Sequence, residues 1–137
     1  MIVNEGKAEG TLLGGNLCTL NLLQGTEFFP DISNSVLFIE DDYESNAVTF
    51  DRNLQSLLHL PNFDKVQGIV FGRFQRASEI TNEKMIRIIK TKKELEEIPI
   101  IINVDFGHTQ SMITFPIGGA VKFSAKDGKI KLEIVKH

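Results

Sequence analysis

The chain has 137 residues, the size of one ordinary domain and enough to bury a core without disulfide or metal support. Its composition is that of an ordinary soluble protein: 42% hydrophobic, 24% charged and a net charge of −3. Acids and bases are interleaved, which argues against a nucleic acid polymer or an anionic membrane as the main partner. No apolar run approaches the ~18 residues of a spanning helix. The opening Met1-Ile-Val-Asn-Glu5 is too short and polar for a signal peptide, so a cytoplasmic location is expected. The one cysteine, Cys18, follows Leu17 among small residues and is expected to be a buried, inert thiol.

In chain order, Ile2 to Leu13 reads as an extended lead-in that turns at Gly14-Gly15. Asn16 then serves as N-cap for a short helix through Leu23, stopped by Gly25. Val36 to Ile39 has the β-rich apolar run of a buried strand. Ser45 or Asn46 caps the next helix, where Phe50, Leu54, Leu57 and Leu58 share one face, and Pro61 ends it. Gly68 to Gly72 is a second buried strand and Ile98 to Ile102 a third. Between them Thr81 starts a helix with Met85, Ile86 and Ile89 inward, and Thr91-Lys-Lys-Glu94 has capping-box form. The mixed charges from Lys90 to Glu97 read as a solvated helical face. This order predicts an α/β domain: a small, mainly parallel sheet with flanking helices. Asp127-Gly128, between Ala120–Ala125 and Lys129–Val135, adds a C-terminal antiparallel hairpin solvated on one face.

Two strings carry candidate chemistry: Val36-Leu-Phe-Ile-Glu40-Asp-Asp42 and Asn103-Val-Asp-Phe-Gly-His108-Thr109. Each sets a polar residue beyond an apolar run, as if an acid and a base sat on the tips of adjacent strands. Their separation of 68 residues leaves room for crossovers back to one sheet edge. In open α/β sheets ligands gather at the carboxyl ends of the strands. A neutral imidazole takes a hydroxyl proton in one tautomer, which a carboxylate on its far nitrogen fixes. On the residues alone, Glu40 is equally one of three consecutive acids on a solvated loop, and His108 a loop histidine.

With Gly14-Gly-Asn-Leu17 and Thr114-Phe-Pro-Ile-Gly118, these strings resemble the C-terminal domain of the LD-carboxypeptidase family, its microcin C self-immunity branch above all. The resemblance implies a swivelling-type β/β/α domain, the C-terminal half of a two-domain serine peptidase. It implies that Glu40 and His108 are the acid and base of a Ser-Glu-His triad. An N-terminal domain, the chain's partner, would then supply the serine and the oxyanion hole. It further implies amide hydrolysis, of murein tetrapeptides or of peptidyl-nucleotides of the microcin C type, with no cofactor. The chain has no Trp, so any aromatic platform for a nucleobase must come from Tyr43, a Phe or the other domain.

None of Ser33, Ser35, Ser45, Ser56, Ser78, Ser111 and Ser124 lies in a Gly-x-Ser-x-Gly elbow, so the isolated chain is expected to be inactive. Gly14-Gly15 lacks the lysine and spacing of a phosphate loop. Asn16 caps its helix or, as the resemblance implies, lines the substrate cleft. Arg73, just past a strand end, either faces solvent or pairs with a substrate carboxylate. Asp105 supports the His108 loop. His59 and His137 have no partner at ligand spacing, so no metal site is expected. The alternative is a non-catalytic domain that binds a small ligand or a protein. A domain parted from its neighbour should expose apolar surface near residues 1–17 and the strand ends, which would also allow a homodimer.

Overall fold

The computed structural model describes residues 1–137. Seven strands form one curled sheet: β1 (Ile2–Asn4), β2 (Gly6–Asn16), β3 (Ser35–Glu40), β4 (Gly68–Gly72), β5 (Ile100–Val104), β6 (Ala120–Lys126) and β7 (Lys129–Lys136). Their order across the sheet is β1-β5-β4-β3-β2-β6-β7. The α/β class is as expected, but the sheet is mixed rather than mainly parallel. β2, β3, β4 and β5 run parallel, while β1, β6 and β7 attach antiparallel at the two edges.

The central strands β3 and β4 are buried at every position because both of their faces are covered. Along β3, Leu37 and Ile39 enter one core, and Val36 and Phe38 enter another. The first core lies under the helices. There α2 (Ala47–Leu58) contributes Phe50, Leu54, Leu57 and Leu58, and α3 (Asn82–Lys90) contributes Met85 and Ile89. No helix covers the second core. Val121, Phe123 and Ala125 of β6 close it, together with Phe106 from the segment after β5.

Caps follow the local chemistry. Asn46 accepts from the amides of Val48 and Thr49, and Thr81 from that of Lys84. Asn16 accepts from the Thr19 amide at 2.9 Å to open α1 (Leu17–Asn21). Asp127 and Gly128 both take positive φ in the two-residue turn of the β6–β7 hairpin.

Four local expectations are corrected. Gly14-Gly15 is not a turn. Both residues continue β2 beside Phe38 and Ile39, and the missing side chain of Gly14 lets the two backbones run close together, since a Cβ there would collide with the Phe38 carbonyl oxygen. β5 begins at Ile100, because Pro99 has no N–H and offers the sheet only its carbonyl, to the Ile69 amide. The capping box at Thr91–Glu94 does not form, because the Thr91 hydroxyl donates back to the Ile88 carbonyl, although a helical turn does restart there as a 3-10 turn over Lys93–Leu95 that buries Leu95. Cys18 is exposed, because Leu17 takes the buried position on a five-residue helix and Cys18 falls on the opposite face.

Candidate active site

Glu40 is the last residue of β3 and, by strand alternation, follows Phe38 toward the second core. Only 9% of its side chain is exposed, which removes the solvated-loop reading. His108 stands on the segment after β5. The two strands are not adjacent, since β4 lies between them. The 105–108 segment must therefore pass over the end of β4 to reach Glu40.

Glycines make this crossing possible. A Cβ on Gly72, the last residue of β4, would stand 2.9 Å from both the Glu40 Cβ and the Phe106 carbonyl. At Gly107, whose φ is +92°, it would stand 2.7 Å from Glu40 Oε2. Two aromatic anchors hold the crossing segment down. Phe106 and Phe115 pack on Phe38, with ring centroids 5.5 and 4.8 Å away, and on each other at 5.3 Å.

The result is a formed pair: His108 Nδ1 and Glu40 Oε2 are 2.7 Å apart. With the Nδ1 proton directed to Glu40, Nε2 is the free ring nitrogen, and 51% of the side chain is exposed. The hydrogen bond that the imidazole donates to Glu40 raises its pKa above the ordinary value. Partial burial opposes this, and the charges of Glu40, Asp42 and Asp41 reinforce it.

Asn16 is a neighbour of this pair through the strand register, in which it stands opposite Glu40. Its Oδ1 caps α1, and its Nδ2 donates to Asp41 Oδ1 at 3.1 Å. Asp41 is buried, and burial raises its pKa against the lowering effect of Ser45, the Asp42 amide and Asn16. Asn16, Cys18, Asp41, Asp42 and Ser45 line an open cavity of about 370 Å³ at the carboxyl ends of β2 and β3.

Arg73 follows β4, and its guanidinium is occupied within the chain. It pairs with the Asp105 carboxylate and donates to the Gln110 carbonyl at 3.3 Å. Asp105 thus supports the His108 segment as expected, with Arg73 as its partner.

Exposed apolar side chains gather at this end of the sheet. They are Tyr43 after β3, and Met112, Ile113 and Ile117 between β5 and β6. Within residues 1–17, by contrast, Met1 is the one large exposed apolar side chain. Sequence reasoning missed the anchoring role of Phe106 and Phe115. Its available signal was two aromatics flanking the histidine with neither strand nor helix periodicity. No group of three His, Cys, Asp or Glu side chains is arranged to hold a metal ion. No helix is long and apolar enough to cross a membrane.

Fold and site together define an α/β domain that presents a hydrogen-bonded carboxylate–histidine pair at the carboxyl edge of its parallel strands. The chain belongs to the LD-carboxypeptidase family, a family of serine carboxypeptidases: residues 9–123 match the LD-carboxypeptidase C-terminal domain. YocD of Bacillus subtilis, a protein assigned as a carboxypeptidase, is 54% identical over the whole chain, which spans 42% of that relative.

Three solved structures share the fold. An MccF-like protein from Bacillus anthracis has a TM-score of 0.96 and 43% identity over all of this chain and 43% of its own. Muramoyltetrapeptide carboxypeptidase from Oxalobacter formigenes has a TM-score of 0.81 and 31% identity, covering 96% of this chain and 46% of its own. The microcin C7 self-immunity protein MccF, solved with aspartyl sulfamoyl adenosine, has a TM-score of 0.78 and 30% identity, covering 99% and 40%. The chain therefore spans about two-fifths of these proteins.

Proposed function

We propose that this domain is the acid–base half of a serine amide hydrolase, with Glu40 and His108 as two members of a Ser-Glu-His triad. The observation that carries the reading is the 2.7 Å contact between His108 Nδ1 and Glu40 Oε2, with the rest of the imidazole half exposed. An N-terminal domain of the same enzyme supplies the serine. His108 Nε2 takes the hydroxyl proton as the serine attacks the amide carbonyl, then passes it to the leaving amine. Glu40 holds the tautomer and stabilises the imidazolium formed between these steps. Asn16, beside Glu40 in the register, lines the substrate cleft.

The substrate is a murein tetrapeptide or a peptidyl- or aminoacyl-nucleotide amide. The likeness to a muramoyltetrapeptide carboxypeptidase supports the first, and the likeness to MccF with its aspartyl sulfamoyl adenosine supports the second. Tyr43, Met112, Ile113 and Ile117 supply apolar surface for the N-terminal domain. The isolated chain, lacking that cover, is expected to pair with a second copy, which a sedimentation run showing only monomer would refute. A cytoplasmic enzyme is the reading that the free, exposed thiol of Cys18 favours.

The test is hydrolysis by the full-length enzyme and its His108→Ala variant, assayed on a murein tetrapeptide and on aspartyl sulfamoyl adenosine. Activity that survives the substitution on both substrates would remove the triad and leave a binding domain. The wild-type preference selects between the substrates.

A further inference from the structure

Arg73 meets the His108 segment at two places at once. Its guanidinium pairs with Asp105, three residues before the histidine, and donates to the carbonyl of Gln110, two residues after it. The same segment is closed by its own backbone, since the Ile113 amide donates to the Asp105 carbonyl at 2.7 Å. Arg73 is itself fixed by the sheet: its amide donates to the Val104 carbonyl at 3.0 Å, directly after the end of β4. The planar fork of arginine suits this double contact, because two N–H groups leave one rigid plane toward different acceptors.

We propose that Arg73 is a positioning residue for His108, and that Asp105 and the Gln110 carbonyl are the handles through which it acts. The inference rests on the reading of His108 as the catalytic base. Three supports locate the imidazole, and each controls a different part of its placement. Phe106 and Phe115 fix the ends of the segment against Phe38. Gly107 lets the backbone come down on Glu40. Neither reaches the stretch from 108 to 110, which the Glu40 hydrogen bond holds at its start and the Gln110 contact at its end. A base displaced by about 1 Å can cost on the order of 10²-fold in rate, so a clamp that adds little to folding can matter much to turnover. The clamp is such a one: the arginine and aspartate side chains are 38% and 49% exposed, and half-exposed ion pairs stabilise folds little.

The geometry also opposes a direct role on substrate. An arginine that received a substrate carboxylate would have to release Asp105 or share its fork. That alternative predicts a rise in KM, whereas positioning predicts a fall in kcat.

The experiment uses the full-length enzyme with Arg73→Met and Asp105→Asn combined, which removes one charge of each sign and leaves net charge unchanged. The expected result is a kcat lowered ~10- to 100-fold with KM within about twofold, by the same positional argument. The acid limb of the kcat/KM profile should also move toward the ordinary histidine range, because the Glu40 hydrogen bond that raises the His108 pKa is loosened. Arg73→Lys, which keeps the charge and loses the fork, should fall between wild type and the double variant. A circular-dichroism melt within a few degrees of wild type shows that the fold survives. If the double variant is unfolded, the same readouts are taken on Arg73→Lys.

A raised KM with unchanged kcat would overturn the proposal in favour of substrate binding. An unmoved pH profile with unchanged kcat would overturn it in favour of a surface ion pair. A parallel His108→Ala variant separates the two levels. If it retains activity, the triad reading fails; if it is inactive while the clamp variant is normal, only the positioning role fails.

Discussion

Glu40 and His108 meet at 2.7 Å, yet the molecule holds them by opposite means. The acid is the terminal residue of a strand buried at all six positions, so it inherits its place from the sheet. The base sits on a segment with no regular structure and is located by a glycine, two phenylalanines and an arginine clamp. One half of the pair is secured by the core, and the other by a handful of local contacts. The acid side should therefore tolerate change around it, while the base side should be sensitive to each support.

The largest effect should come from the pair itself. In the full-length enzyme, His108→Ala should lower kcat by about 10⁶-fold and Glu40→Gln by about 10⁴-fold, and the double variant should be little worse than His108→Ala alone. Additive losses would mean that the two residues do not act as a unit. Phe106→Ala should come next, costing about 3–5 kcal/mol in denaturant unfolding because it empties the second core where the segment is tied down. An exposed side chain such as Met112 should lose little when truncated, within about 0.5 kcal/mol, and an equal loss at both would erase the distinction.

Gly107→Ala should follow, with a cost of about 1–3 kcal/mol from its positive φ and a new Cβ forced against Glu40. Its kcat should fall by more than its melting temperature alone would suggest. If kcat stays at the wild-type value, the crossing over β4 does not need the glycine.

The smallest effect is in pH. The folded pKa of His108 lies above the ordinary value of 6.5 because of Glu40. The pairing therefore stabilises fully below about pH 6.5, and this contribution is lost as pH rises through the folded value. Melting temperatures of wild type and His108→Ala should differ most at the acid end of this range and converge toward alkaline pH. Divergence in the other direction would mean that Glu40 does not favour the imidazolium.

The strand carrying the acid was readable from its apolar run, and so were the cap at Ser45 or Asn46, the Thr81 cap and the Asp127-Gly128 hairpin, because each depends on a few neighbouring residues. The base was readable as a residue but not as a position. Nothing in Asp105-Phe-Gly-His108 says that the backbone passes over a strand to reach Glu40, since that depends on sheet order. The mixed sheet escaped for the same reason: β1 and β2 look alike as extended segments, yet one lies at the antiparallel edge and the other joins the parallel core. Cys18 escaped because a five-residue helix has too little periodicity to separate its faces. Arg73 was legible as a residue at a strand end, whereas its partners, 32 and 37 residues away in sequence, are matters of tertiary contact.

The sheet order also sets a timetable for the ribosome. Ile2 pairs with Ile101, and Gly6 to Thr11 pair with residues Ala120 to Ala125, so both early strands bond to late ones. At a synthesis rate of about 5–20 residues per second, the N-terminal segment waits several seconds or more for its partners. Through that interval β2 can hold β3 in parallel while its other edge stays open. A chain released before β6 emerges would leave that edge free to pair with another copy and the second core uncovered, which makes premature termination a specific route to aggregation.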